Sequence, residues 1–286
     1  MIINTGRNNH RHVEDSKQEM NNEEDGLMDY TSYETLKIEM VEPGIMMVTL
    51  NRPKQLNSLS HQMTRELTDL WAKLKHDVET RVILLNGAGE KGFCGGLDVV
   101  ENLYPEELTP VGFYDFQSRL GELELAMRQI PQPIICMVHG AAAGAGFSFV
   151  LASDIRIISP DARFSAFYVN TGVGGADMSC SYFLPRIIGM GRAYEFMLTG
   201  RFMDANEAMN LGLASKCVER DQLLPTALEM ARDITKKSYL AIRLTKEAIN
   251  QNIDCAGLEA ALKMEDRNQT IMILHNQMTG RGKAFA

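Results

Sequence analysis

The chain has few of the features that mark secreted, membrane-spanning or nucleic-acid-binding proteins. Its five cysteines are an odd number and form no CxxC pair, so we expect reduced thiols in a cytoplasmic protein. No run of about 18 apolar residues is present, which predicts no membrane span. The N-terminus lacks the apolar core of a signal peptide. The net charge of -8 argues against a general nucleic-acid binder.

The chain is otherwise of ordinary globular composition. Its 286 residues are 45% hydrophobic and 23% charged, which is enough to bury a large core without disulfides or metals. Residues 1–30 differ, because they are rich in Asn, Asp, Glu, Lys and Arg and poor in apolar side chains. Such a segment buries too little surface to offset its ordering entropy, so we predict a disordered polar extension.

Strand and helix patterns alternate along the first two thirds of the chain. Apolar runs predict strands over residues 45–50, 81–86, 134–138 and 154–159. Helical spacing predicts helices over 60–76, 112–130 and 144–152. This alternation is typical of an α/β architecture with a parallel sheet. After about residue 190 the pattern predicts helices over 205–211, 223–234, 239–250 and 256–275, with only 213–218 extended.

Two glycine-rich turns are the most informative local feature. Gly92-Phe-Cys-Gly-Gly-Leu-Asp98 and Val138-His-Gly-Ala-Ala-Ala-Gly-Ala-Gly-Phe-Ser148 each follow an apolar strand. Each turn could expose backbone N–H groups at the start of a helix, and small residues let a ligand approach the backbone. Together they would form an oxyanion hole for an activated carbonyl. The alternative for either turn is tight packing alone.

A third glycine-rich segment resembles a dinucleotide-binding motif. Gly87-Ala-Gly-Glu-Lys-Gly92 matches the GxGxxG spacing of dinucleotide sites. More loop follows it instead of a long helix, so we expect no nicotinamide or flavin cofactor.

Several further motifs occur in a fixed order with the two glycine turns. They are Asn51-Arg-Pro-Lys-Gln-Leu-Asn-Ser58 before the turns and, after them, Ala152-Ser-Asp-Ile-Arg156, Phe183-Leu-Pro-Arg-Ile-Ile-Gly-Met-Gly-Arg-Ala193, Leu198-Thr-Gly-Arg201, Ala205-Asn-Glu-Ala-Met-Asn-Leu-Gly-Leu213 and Ala241-Ile-Arg-Leu-Thr-Lys-Glu-Ala-Ile249. With these motifs the chain resembles the crotonase (enoyl-CoA hydratase/isomerase) superfamily, from about Lys37 to the C-terminus.

The resemblance implies a fold and an assembly. The implied fold is α/β, a crotonase-like ββα spiral core over residues 31–200 with a helical C-terminal trimerisation region over 201–286. The implied assembly is a homotrimer or a dimer of trimers. The implied ligand is an acyl-CoA thioester, with coenzyme A as part of the substrate and no separate cofactor or metal.

The resemblance also implies where the thioester carbonyl binds. The two oxyanion donors of the family match the backbone N–H groups of Leu97 and Ala145. Gly96 and Gly144 precede these donors and are substrate-binding candidates. Lys54, in the first loop, is a candidate contact to the CoA phosphates or adenine, although a solvated lysine is the simpler interpretation.

The acid/base positions depart from the family pattern. Hydratases of the family carry two glutamates, and the matching positions here are Ser148 and Tyr168. Neither is a carboxylate, so we keep both only as substrate-binding candidates. Ser148 could equally be a small helix residue, and Tyr168 could simply pack.

One carboxylate remains where some isomerases of the family carry an acid. Asp177 lies in Gly172-Val-Gly-Gly-Ala-Asp-Met178, and the match requires one extra residue in the preceding turn. Beside an apolar pocket its pKa would rise, which suits it to accept and return a proton. The alternative role is the N-cap of the helix toward Ile188.

The remaining matched positions are predicted to be structural. Asp98 and Asp154 are expected to hold turns in shape, and His139 to pack or to make a backbone hydrogen bond. The preferred reaction is therefore double-bond isomerisation of an enoyl-CoA, with Asp177 moving the proton. The alternatives are a hydratase with atypical acid/base residues and a non-catalytic acyl-CoA binder.

Overall fold

The structure, a computed structural model, describes residues 30–102 and 109–280. The chain divides into two units, residues 1–32 and residues 33–286. All the strands and helices given below belong to the second unit. The polar extension predicted for residues 1–30 falls outside the described residues, except at Tyr30.

Nine strands occur in the described part of the chain. They are β1 (Leu36–Glu42), β2 (Ile45–Leu50), β3 (Val82–Gly87), β4 (Ile134–Val138), β5 (Ala141–Ala143), β6 (Ile155–Ile158), β7 (Arg163–Ser165), β8 (Met203–Asp204) and β9 (Lys216–Cys217). The main sheet has the order β1-β2-β3-β4-β6-β9. Its first pair, β1 and β2, is antiparallel, and the later pairs are parallel. The predicted α/β architecture with a parallel sheet is confirmed.

A small second sheet lies beside the main one. Its order is β5-β7-β8, with β5 and β7 parallel and β7 and β8 antiparallel. The sequence patterns missed these strands because two or three residues are too few to show an alternation. The expectation that only residues 213–218 are extended after residue 190 is wrong, since β8 also lies there.

Ten α-helices occur within the same described residues. They are α1 (His61–Leu74), α2 (Val99–Asn102), α3 (Pro110–Gln129), α4 (Ala145–Ala152), α5 (Cys180–Ile188), α6 (Met190–Thr199), α7 (Ala205–Asn210), α8 (Leu223–Thr235), α9 (Tyr239–Asn252) and α10 (Leu258–Met278). None of those described is both long and apolar enough to cross a membrane.

Side-chain caps fix where the first long helices begin. Ser60, predicted as the first helical residue, is the N-cap of α1, and its hydroxyl accepts a hydrogen bond from the Met63 N–H at 3.0 Å. Thr109 caps α3 in the same way through the Gly112 N–H at 3.1 Å. A capping hydroxyl satisfies a donor that the helix itself leaves free.

The core on one face of the main sheet holds the strands in place. Leu223, Ala227 and Ala231 recur every fourth residue of α8 and pack against the β2, β3, β4 and β6 side chains. Because β3 and β4 are parallel neighbours, the loops that follow them leave at the same edge of the sheet. These loops are the two glycine turns, which the fold therefore brings side by side.

Candidate active site

The two glycine turns are joined to each other by backbone hydrogen bonds. The Cys94 N–H donates to the Ala141 carbonyl at 3.1 Å, and the Ala143 N–H donates to the Cys94 carbonyl at 3.0 Å. Gly92 forms a further bridge with Gly140. The first turn thus runs beside β5, and its position relative to the second turn is fixed.

Two glycines make this close approach possible. A Cβ atom on Gly146 would overlap the Cys94 carbonyl oxygen. Gly96 has a φ of +104°, and a Cβ there would lie 2.9 Å from the Ala143 carbonyl oxygen. A residue with a side chain fits neither position without moving the backbone.

The junction leaves the two predicted oxyanion donors unpaired. Leu59 donates to the Gly96 carbonyl and accepts from the Asp98 N–H, at 2.8 and 2.9 Å, so the Leu97 N–H points away from Leu59. Ala145 is the first residue of α4, where an N–H has no partner within the helix. No described residue accepts a hydrogen bond from either N–H group. The structure therefore brings together two free donors at the place where the sequence predicted them.

Asn57 holds the first turn in position, and the sequence analysis did not single it out. It is buried with a φ of +54°. Its side-chain amide donates to the carbonyls of Ala88 at 2.9 Å, Gly92 at 3.3 Å and Phe93 at 3.0 Å. Asparagine tolerates this left-handed backbone better than most residues. In the sequence, the only indication of this role was the position of Asn57 in the polar loop before α1.

The matched aspartates both form ion pairs with basic side chains. Asp98 pairs with Arg52 at 3.0 Å, which connects the first turn to the loop before α1. Asp154 pairs with Arg128 and Lys246, each at 2.9 Å. These contacts agree with the structural roles expected of both aspartates.

His139 makes a backbone contact of the kind expected. Its Nε2 lies 2.8 Å from the Gly89 carbonyl oxygen. The imidazole therefore joins the loop after β3 to the residue that follows β4.

A cavity of about 730 Å³ adjoins the two turns. Its wall is mostly apolar, which suits an acyl chain. The polar side chains that line it are those of Gln55, Ser58, Asp98, Gln117, Tyr168, Thr171 and Asp177. Apolar lining residues include Leu97, Val99, Val100, Phe113, Leu120, Phe167, Val173 and Met178.

Asp177 lies on the wall of this cavity. Its Oδ1 accepts hydrogen bonds from the Gln117 side-chain amide and from the Met178 N–H at 2.8 Å. Burial raises the pKa of Asp177 above its usual range, although the two hydrogen bonds oppose the shift. A carboxylate with a raised pKa is suited to taking up and returning a proton.

The alternative role of Asp177 as a helix N-cap is wrong. Helix α5 begins at Cys180, and its N-cap is Ser179. Met178 and Ser179 both have left-handed backbone, with φ of 42° and 64°. This turn separates Asp177 from the helix and leaves its carboxylate facing Gln117.

Ser148 and Tyr168 contact each other at the positions where hydratases carry glutamates. The Ser148 Oγ lies 2.8 Å from the Tyr168 hydroxyl, and both side chains are buried. Burial raises the pKa of the Tyr168 phenol well above its usual value. The pair is therefore neutral and supplies no carboxylate.

Lys54 lies apart from the cavity wall. It is exposed in a 3-10 turn, Pro53–Gln55, and only the next residue, Gln55, lines the cavity. The structure therefore leaves Lys54 available to a ligand that extends beyond the cavity mouth.

A second carboxyl group near Asp177 was missed by the sequence analysis. Glu124 of α3 is 1% exposed. Burial, reinforced by the negative charge of Asp177, raises its pKa well above the usual range. In the sequence, the only indication of its burial is its position between Leu123 and Met127, which lie on the buried face of the same helix. Among the described residues, no group of three or more His, Cys, Asp and Glu side chains could hold a metal ion.

The fold and the site together define an α/β protein in which two free backbone N–H donors adjoin a cavity whose wall carries two carboxyl groups, those of Asp177 and of the ion-paired Asp98. The family model for enoyl-CoA hydratase/isomerase matches residues 40–285. A probable enoyl-CoA hydratase of Mycobacterium leprae is 35% identical over 242 residues, which cover 83% of this chain and 82% of that protein.

Solved structures agree with this match. A putative enoyl-CoA hydratase from Streptomyces coelicolor superposes with a TM-score of 0.84 at 31% identity, covering 91% of this chain and 94% of that one. A monofunctional enoyl-CoA isomerase from Mycobacterium smegmatis gives a TM-score of 0.68 at 38% identity, covering 80% and 98%. The chain therefore belongs to the enoyl-CoA hydratase/isomerase family and is an enzyme of the crotonase type.

Proposed function

We propose that the protein moves a carbon–carbon double bond in an enoyl-CoA thioester. One observation carries the proposal. Asp177 is a carboxylate on the wall of the cavity that adjoins two free N–H donors, while the hydratase glutamate positions hold the neutral pair Ser148 and Tyr168. Isomerisation requires one group that moves a proton, whereas hydration of the family's usual type uses two carboxylates.

The carbonyl of the thioester would lie between the two glycine turns. The N–H groups of Leu97 and Ala145 would donate to its oxygen, and the absence of side chains on Gly96 and Gly144 would let it approach. Negative charge develops on this oxygen when a proton leaves C2. Each preformed donor typically lowers such a barrier by about 3 kcal/mol.

Asp177 would then carry the proton from C2 to C4. Its carboxylate removes a proton from C2 of a 3-enoyl thioester, and the C–H electron pair passes into a dienolate held by the two N–H donors. The protonated Asp177 returns the proton to C4, the double bond forms between C2 and C3, and the carboxylate is regenerated. Gln117 would keep the carboxylate directed toward the acyl chain through its hydrogen bond.

The substrate's remaining contacts follow from the cavity. The apolar wall would hold the acyl chain, and exposed Lys54 would meet the CoA phosphates outside the mouth. Ser148 and Tyr168 would bound the acyl site without exchanging protons. The chemistry requires no cofactor or metal beyond the CoA of the substrate.

The deciding experiment compares the wild-type protein with Asp177→Asn on a panel of thioesters. We expect conversion of 3-enoyl-CoA to 2-enoyl-CoA, followed by mass spectrometry, and a loss of about 10²- to 10⁴-fold in the variant. Acyl-CoA binding, measured by calorimetry, should be retained. Hydration of 2-enoyl-CoA without double-bond migration would instead favour the hydratase alternative, which the names of several relatives suggest.

The pH profile provides a second measurement on the same reaction. Because the ionised carboxylate acts as the base, kcat/KM should fall as pH decreases through the pKa of Asp177. Burial raises that pKa, so the fall should occur above the usual range of an aspartate. A profile without this limb would contradict the assignment.

We also propose that the protein assembles as a trimer or a dimer of trimers. Helix α10 has no buried residue over its 21 positions, yet it exposes Leu258, Ile273 and Leu274. A second copy would cover this apolar surface. Light scattering should give a mass of three or six chains, and a monomer would contradict the proposal.

We further propose a cytoplasmic location. The five cysteines are unpaired, as expected of a protein in a reducing compartment.

A further inference from the structure

The cavity that adjoins the two glycine turns has an acidic wall, although the proposed reaction forms an anion in it. Among the described residues that line the cavity, two have ionisable carboxyl groups, Asp98 and Asp177, and none is basic. A negative charge on the wall opposes the charge that develops on the thioester oxygen. Basic groups behind the wall therefore affect how well the two N–H donors stabilise that oxygen.

Asp98 is the carboxylate next to an oxyanion donor in the chain. It directly follows Leu97, and its side chain is 14% exposed. Standard bond lengths place its carboxylate within about 11 Å of an oxygen that accepts a hydrogen bond from the Leu97 N–H. At an effective dielectric constant of about 20, a unit charge at this distance changes the stability of an oxyanion roughly tenfold.

Arg52 lies behind Asp98, where it can balance this charge. Two of its guanidinium nitrogens, Nη1 and Nη2, each lie 3.0 Å from the Asp98 Oδ2. Nη1 also donates to the Ser58 carbonyl at 2.6 Å. The nearest approach to the Glu101 carboxylate is longer, at 4.0 Å, and Glu101 is the more exposed acid. Asp98 is therefore the main partner of the Arg52 charge.

The same contacts support the direction of the Leu97 N–H. The Leu59 N–H donates to the Gly96 carbonyl at 2.8 Å. In a planar trans peptide the C=O and the N–H point in opposite directions, so this bond directs the Leu97 N–H away from Leu59. Arg52 joins the residue before Leu59 to Asp98, which follows Leu97. The guanidinium thus braces the chain on both sides of this hydrogen bond.

The backbone of Arg52 is itself fixed. Its N–H donates to the Asn57 side-chain oxygen at 2.9 Å, and its carbonyl accepts from the Asn57 N–H at 2.9 Å. The Asn57 amide in turn donates to carbonyls of the first glycine turn. The base of the arginine side chain is therefore held relative to that turn before a substrate binds, as electrostatic stabilisation requires.

We propose that Arg52 is a positioning residue whose positive charge offsets the effect of Asp98 on an oxyanion at the Leu97 and Ala145 N–H groups. The inference rests on the carbonyl-binding part of the proposed function and is independent of which group moves the proton. Arg52 touches no reacting atom in this role. Without its guanidinium, an unbalanced carboxylate would destabilise the enolate more than the neutral carbonyl of the bound substrate.

A 3-ketoacyl-CoA measures this effect without turnover. Its C2 proton ionises in water and the enolate absorbs ultraviolet light, so a pH titration of the bound ligand gives the pKa of the enolate. The wild-type protein should lower this pKa below that of the free ligand. In Arg52→Gln the pKa should lie about one pH unit above the wild-type value, which corresponds to a tenfold loss. Arg52→Lys retains the charge and should stay within about 0.3 pH unit.

Removing the carboxylate separates charge balance from a merely structural role. Asp98→Asn leaves the Arg52 charge unbalanced, so the pKa of the bound enolate should fall below the wild-type value. The double variant Arg52→Gln/Asp98→Asn should return it to within about 0.3 pH unit of the wild type. If the ion pair only held the loop, the double variant would remain as perturbed as Arg52→Gln, and that result would overturn the inference.

The matched control is Arg232→Gln. It breaks the ion pair with Glu42, and neither of these residues lines the cavity. The pKa of the bound enolate should equal the wild-type value in this variant. An increase as large as that in Arg52→Gln would show that the overall charge of the protein, and not the position of Arg52, sets the pKa, and it would overturn the inference.

The outcomes for the wild type separate this inference from the proposed function. A bound ligand whose pKa is not lowered would contradict the oxyanion hole itself. A pKa that is lowered equally in the wild type and in Arg52→Gln would overturn only the role of Arg52. In turnover of an enoyl-CoA, kcat should fall about tenfold in Arg52→Gln with KM unchanged. A rise in KM with unchanged kcat would contradict the inference.

Discussion

The carbonyl-binding end of the site and its acid-bearing end are built differently. At the carbonyl end, backbone groups of two turns are fixed by hydrogen bonds to each other and to Asn57. At the acid end, Asp177 follows an irregular segment, and the buried carboxyl oxygens of Glu124 and hydroxyl oxygen of Ser179 have no hydrogen-bond partner on another described residue. Donors that meet a developing charge must be fixed beforehand, whereas a group that carries a proton must be free to change partners. The difference suits the two tasks that we propose.

Disturbing the fixed end should have the largest effect. Gly96→Ala places a Cβ against the Ala143 carbonyl at a φ of +104°, so the backbone that carries the Leu97 N–H must move. We expect kcat to fall about 10²- to 10³-fold, as when one oxyanion donor is lost. Gly191→Ala in α6, where a Cβ has no neighbour within 4 Å, is the matched control. Unchanged kcat in Gly96→Ala would show that the end is not rigid.

Removing the support of the first turn should cost stability. Asn57→Ala removes the side-chain amide that donates to nearby backbone carbonyls, among them those of Ala88 and Phe93. It also places alanine at a φ of +54°. We expect the free energy of unfolding in urea to fall by about 2–3 kcal/mol. Asn57→Gly keeps the backbone conformation and loses only the amide, so it separates the two contributions. A loss under about 1 kcal/mol in both would refute the bracing role.

A group at the acid end should make the stability of the protein depend on pH. The folded protein holds a proton on Glu124 that the unfolded chain releases above the usual glutamate pKa, because burial raises the pKa of Glu124 only in the folded state. The free energy of unfolding should therefore decrease as pH rises above that value, by at most about 1.4 kcal/mol per pH unit. Glu124→Gln should abolish this decrease.

Thermal unfolding across a pH series measures that slope. Glu122→Gln, an exposed glutamate on the same helix, provides the control and should retain the wild-type slope. A slope that is identical in Glu124→Gln and the wild type would mean that Glu124 is ionised in the folded protein.

The smallest effect is expected at the neutral pair. Tyr168→Phe removes the hydrogen bond to Ser148 but leaves the ring in the cavity wall. Because the phenol is not proposed to exchange protons, kcat should change by less than about threefold. A fall in kcat of about 100-fold or more would indicate that Tyr168 donates a proton, and it would contradict the distinction between the two ends.

Particular residues show how far the sequence could be interpreted. Strands β2, β3, β4 and β6 and the longer helices were predicted, because their apolar patterns are strong. Leu97 and Ala145 were predicted as donors from glycine spacing and a family resemblance, and the structure brings them together unpaired. The strands β5, β7 and β8 were missed because each has only two or three residues.

What the sequence determined by itself is the local chemistry: glycines where two backbones must approach, apolar runs for a parallel sheet, and the absence of glutamates at residues 148 and 168. Only the tertiary structure decided which side chains meet. Glu124 lies 53 residues before Asp177 in the chain, and no local pattern indicates that α3 buries it against the same wall. Burial and charge proximity depend on how distant elements pack, and the propensities of neighbouring residues do not encode them.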